Sequence, residues 1–169
     1  MTGPRGGTRQ ARGGGNTICA VRLKRAYEEP EAADGYRVLV DRLWPRGVRK
    51  DALAIDAWMK EIAPSAELRR WFGHDEARWE EFAVRYRAEL RQQPAARLVD
   101  ELVERAKRGT VTLVFGAKDE HHNQAVVLHG VIARMFRGTV KAASRSSGPG
   151  VRSTSSGAST ASRKASTRL

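Results

Sequence analysis

Two short stretches concentrate the side chains that could do chemistry. Arg42, Trp44 and Arg46 stand in DRLWPRG, and Lys118, Asp119, His121, His122 and Asn123 stand in AKDEHHN. A guanidinium presents a planar fork of N–H donors that suits phosphate or carboxylate, and an indole beside it offers a flat apolar plate. Imidazole and carboxylate groups can hold or move a proton. The combination points to a small anionic or phosphate-bearing ligand contacted by Arg42, Trp44, Arg46, Lys118 and Asn123. His122, His74 and Asp119 are the candidate acids and bases. Adjacent residues at a helix start point in different directions, so of His121 and His122 only one can face such a site, and His122 is the choice.

Each residue also has a plainer role. Arg42 can pair with a neighbouring charge, Arg46 and Lys118 can be solvated loop cations, and all four tryptophans can be core. His74 can hydrogen-bond at a turn, and Asp119 can cap a helix. A metal site from His74, Asp119, His121 and His122 lacks a familiar ligand spacing, so none is expected. Cys19 is the only cysteine and lies within a strand-like run, which excludes an intrachain disulfide and argues against a nucleophile.

The elements that must position these groups follow from the surrounding pattern. In YRVLV, Tyr36, Val38 and Val40 alternate with Arg37 and Leu39, a strand signature, and Pro45 and Gly47 then force a loop. Thr110 to Gly116, TVTLVFG, is apolar and β-branched at nearly every position, as in a strand covered on both faces. If the two strands are parallel neighbours, their exits meet. Gly116 then permits close approach of a ligand, and a helix beginning near Asn123 adds its positive end.

The rest of the chain supplies a first strand over 17–24 and a helix across 51–62. A helix capped by Ser65 runs to Phe72, and one capped by Asp75 reaches about Gln92. Another opens at Pro94 and stops at Gly109, and the last covers 123–135. Strands separated by helices indicate a single α/β domain with a small, largely parallel sheet flanked by helices.

Charge is unevenly spread. The chain carries 31 Lys and Arg against 19 Asp and Glu, yet residues 1–16 and 137–169 hold ten of the basic residues and no acid. The intervening 17–136, expected to be the folded domain, is nearly neutral. The Gly/Arg-rich start and the Ser/Arg-rich tail should be disordered. They carry no aromatic residues that could stack on bases, so they would bind nucleic acid weakly and without specificity. No stretch is apolar enough to span a membrane or to serve as a signal peptide, which makes the cytoplasm the expected location.

With DRLWPRG, APSAELRRWFGHD and TLVFGAKDEHHNQAVVL in this order, the chain resembles the YeaO-like family of small bacterial proteins, part of a wider domain family of unknown function. The resemblance spans about residues 18–136. It implies an α/β fold and no established activity. Phe115-Gly116 departs from the family's usual Tyr-Ala, which removes a phenol hydroxyl from that strand end. No Gly-rich cofactor loop and no winged helix-turn-helix is present, so no cofactor is expected. Two readings stand: a domain that binds, or acts on, a small anion at the strand exits, and a non-catalytic interaction protein whose basic tails attract nucleic acid. Neither fixes an oligomeric state.

Overall fold

The computed structural model describes residues 21–146. Four strands, β1 (Val21–Arg25), β2 (Tyr36–Leu39), β3 (Ala57–Trp58) and β4 (Val111–Phe115), form one all-parallel sheet in the order β1-β4-β2-β3. Central β4 is buried at every residue, as its unbroken apolar run requires. The helices are α1 (Lys50–Leu53), α2 (Ala66–Phe72), α3 (Trp79–Glu89), α4 (Ala95–Ala106) and α5 (Gln124–Ser146). This is the small α/β domain read from the sequence. The N-terminal tail, Cys19 and residues beyond Ser146 lie outside the described residues, and α5 runs ten residues past the boundary that composition set at Met135–Phe136.

The alternation in β2 divides the molecule into two layers. Val38 and Val40 join Val111, Leu113 and Phe115 in a core with Phe72, Phe82, Tyr86, Leu102 and Ile132 from the helices. Leu39 and Val114 face the other way, into a smaller core with Leu53, Trp44 and Trp58. Gly35, just before β2, has a φ of 62°, and a Cβ there would lie 2.3 Å from the Thr110 carbonyl oxygen, so only glycine fits where β2 enters beside β4.

One expected helix is absent. Residues 51–62 read as helical from their apolar spacing, but the chain forms α1, then β3, then a 3-10 turn over Lys60–Ile62. The cause is Arg37. Its Nε donates to the Ala54 carbonyl and its Nη2 to the Leu53 carbonyl, both at 3.0 Å, which takes up oxygens a continuing helix would use. The Asp56 N–H then donates to the Arg37 carbonyl at 2.8 Å and draws the chain into the sheet edge. The other caps follow the sequence. Ser65 Oγ accepts from the Leu68 N–H at 3.1 Å, and Asp75 Oδ1 from the Ala77 N–H at 3.0 Å.

Candidate functional site

β2 and β4 are parallel neighbours, which meets the condition set from the sequence, and their carboxyl ends come together. The junction is built on Asp41. Its carboxylate accepts the Gly116 N–H at 2.7 Å and the Gln124 side-chain amide, while its carbonyl accepts the Trp58 indole N–H at 2.8 Å. One residue thereby ties the exits of β2 and β4 to the start of α5 and to β3. Burial drives the Asp41 carboxyl above its ordinary value; the two neutral donors and the nearby Arg69 charge only partly offset this.

Beside Asp41 opens a cavity of about 250 Å³. Arg42, Arg69, His74 and Gln124 supply its polar lining, and Phe72 and Phe82 belong to its apolar wall. Arg69 lies three residues before the buried Phe72 on α2, which puts it on the inward face of that helix. Its Nε is buried and has no hydrogen-bond partner. A buried guanidinium N–H without an acceptor is uncommon in folded proteins, and Arg69 is also one of the residues that line the open cavity. His74 takes left-handed backbone at φ 59°, directly after Gly73 at φ 55°, and its ring packs 5.7 Å from that of Phe72.

The remaining candidates fall elsewhere. Trp44 packs on the opposite layer, edge-on to Trp58 at 5.3 Å, with its indole N–H donated to the Val48 carbonyl at 2.7 Å. Arg46 and Lys118 are exposed and do not line the cavity. Asn123 is buried as the cap of α5. Its Oδ1 accepts from the Ala125 and Val126 N–H groups at 2.9 and 3.2 Å, and its Nδ2 donates to the Asp119 carbonyl at 2.8 Å.

Asp119 and His122 form a second group in the same loop. Asp119 Oδ1 accepts from the His121 and His122 N–H groups at 2.8 and 3.0 Å, and its Oδ2 lies 2.8 Å from His122 Nδ1. Those backbone donors, with the His122 ring, lower the Asp119 carboxyl to about 2. The structure thus brings Arg42 and His74 together with three residues not singled out from the sequence as ligands: Asp41, Arg69 and Gln124. The inward spacing of Arg69 with Phe72 was the available signal for one of them.

The profile of the DUF488-N3i family, described as "Inactive DUF488-N3 subclade", matches residues 20–151. Uncharacterized protein YeaO of Escherichia coli (strain K12) is 46% identical over 110 residues, which cover 64% of this chain and 92% of that protein. Uncharacterized protein Rv3073c of Mycobacterium tuberculosis (strain ATCC 25618 / H37Rv) is 44% identical over 108 residues, 64% of this chain and 89% of the relative. No solved structure matches the chain. Among the described residues no helix is long and apolar enough to cross a membrane. The chain belongs to the YeaO-like DUF488 family, in the subclade described as inactive DUF488-N3.

Proposed function

We propose that this protein is a ligand-binding domain that holds a small anionic molecule, bearing phosphate or carboxylate, in the cavity at the carboxyl ends of β2 and β4. The observation that carries this reading is the unpartnered, buried Nε of Arg69 beside an open cavity that Arg42 also lines. An incoming oxyanion would lie against the guanidiniums of Arg42 and Arg69, and a turn of the Arg69 side chain would bring its unpartnered Nε to it, the arrangement Arg favours for phosphate and carboxylate. Asp41 and His74, on the same lining, would select ligands that also carry hydroxyl or other donor groups. A crevice beyond the strand ends is where parallel α/β sheets take their ligands. The subclade's description as inactive supports binding without turnover.

Titration of the full chain with inorganic phosphate, sugar phosphates, nucleotides and dicarboxylates tests the reading. One of these classes should bind and raise the melting temperature by mass action. Loss of one charge-assisted contact, in Arg42→Ala or Arg69→Met, should weaken that binding by about 10- to 100-fold, the equivalent of roughly 1.5–3 kcal/mol. No binding by any class, or binding in both variants as tight as in the parent, would overturn it. The nucleic-acid reading depends on the basic segments 1–16 and 137–169, of which 137–146 continue α5 and the rest lies outside the described residues. It predicts binding that falls steeply with salt and vanishes when residues 1–16 and 137–169 are removed.

A further inference from the structure

A second cluster, separate from the cavity, draws ligating groups from two parts of the chain. Glu76, in the 3-10 turn Glu76–Arg78 ahead of α3, converges with Asp119 and His122 so that one ligand atom from each lies within 4.8 Å of the others. We propose that Glu76, Asp119 and His122 form a binding site for Zn²⁺ or a similar first-row divalent cation.

Three observations support a built site. Asp119 and His122 are fixed in place: Asp119 Oδ1 holds two backbone N–H groups of its own loop, and Asn123 clamps the Asp119 carbonyl while capping α5. The His122 ring is also backed edge-on by Trp79 at 5.2 Å. Glu76 is different. It is exposed, its carbonyl accepts the Trp79 N–H, and its carboxylate makes no hydrogen bond or ion pair among the described residues, so the carboxylate is free to close on an ion held by the other two.

The donor set selects the metal. Two carboxylates and an imidazole suit zinc and its neighbours, whereas calcium and magnesium prefer oxygen alone. Tetrahedral bonds to zinc place ligand atoms about 3.3 Å apart, a separation that a small swing of Glu76 reaches. Asp119 Oδ2 and His122 Nδ1 already sit 2.8 Å apart, sharing a proton that the cation would displace. Three protein ligands leave at least one position open to water or a further ligand. Glu76 and Asp119 each stand two residues from a cavity-lining residue, His74 and Ala117, so a cation here would sit at the edge of the proposed anion site.

The test is competition for Zn²⁺ between the untagged full chain and a chromogenic chelator of micromolar affinity, in a Cys19→Ser background that removes the one thiol. The chain should take one equivalent. Because even supporting residues around a metal change affinity by about 10- to 100-fold, loss of a direct ligand in Glu76→Gln or His122→Ala should weaken binding at least ~10-fold. His129→Ala, whose ring contacts the Val21 carbonyl at 3.2 Å, should bind as the parent does. Glu76→Gln is the decisive variant, since it loses no contact and its metal-free melting curve should match the parent. No Zn²⁺ retained against the chelator, or unchanged affinity in Glu76→Gln, would overturn the proposal.

Discussion

Two aspartates bracket β2 in opposite surroundings. Asp34, ahead of the strand and 2% exposed, accepts from Lys24 Nζ at 3.2 Å, from the Glu31 N–H at 3.0 Å and from the Arg37 guanidinium. Burial pushes its carboxyl up, but the Glu31 N–H and the two cations outweigh it and hold the carboxyl below the ordinary value. Asp41, behind the strand, has only the neutral Gly116 and Gln124 donors in contact, and burial prevails. The arginines differ in the same way. Arg37 gives its Nε and both terminal nitrogens to acceptors, while the Nε of Arg69 has none. A closed ion cluster of the first kind holds the fold. The open one of the second kind is where the proposed ligand would complete the bonding.

The largest test of this contrast makes one substitution at both arginines. Arg37→Met would leave the buried Asp34 with Lys24 as its one contacting cation beside the Glu31 N–H and strip donors from the Leu53 and Ala54 carbonyls. Breaking a buried ion pair from one side costs about 3–5 kcal/mol, which should appear as a lower urea midpoint with an unchanged slope. Arg69→Met removes a buried donor that has no acceptor. Its stability should hold or rise, by up to about 1–3 kcal/mol, while binding of the proposed anion weakens by about 10- to 100-fold. Destabilisation of similar size in both variants would erase the distinction.

The sequence disclosed the open end better than the closed one. Period-two alternation in YRVLV and the apolar run TVTLVFG gave the two central strands, while their pairing, and with it the meeting of their exits, came from the structure. Ser65 and Asp75 declared their caps because capping depends on local residue type. Arg37 was the blind spot. In the alternation of YRVLV it stood only as a strand residue with no role assigned, whereas it is 4% exposed and organises the 53–56 turn through contacts 16 and 17 residues away. Such long-range hydrogen bonds leave no mark on periodicity, so the helix expected over 51–62 was an overextension of local pattern. Trp44 failed to reach the cavity for a related reason. The loop after Asp41 folds back over the second face of the sheet, where the Val48 carbonyl captures the indole N–H.

The smallest expected effect is the most specific, because it has opposite signs at the two aspartates. A carboxyl held below its unfolded value near 3.8 stabilises the fold above that pH, and this stabilisation fades as pH falls through the lowered folded value; that is Asp34. A carboxyl held above its unfolded value contributes stability below about pH 3.8 that is lost as pH rises through the raised folded value; that is Asp41. Urea unfolding of the parent, Asp34→Asn and Asp41→Asn across about pH 3–7 isolates each contribution. The stability of Asp41→Asn relative to the parent should climb with pH, and that of Asp34→Asn should decline. At neutral pH Asp41→Asn should lie within about 1 kcal/mol of the parent, since an amide oxygen can still accept one of the two bonds and no longer incurs the burial of a charge. Difference curves sloping the same way would mean that both carboxylates sit in equivalent fields, and the division of β2 into a closed end and an open one would fail.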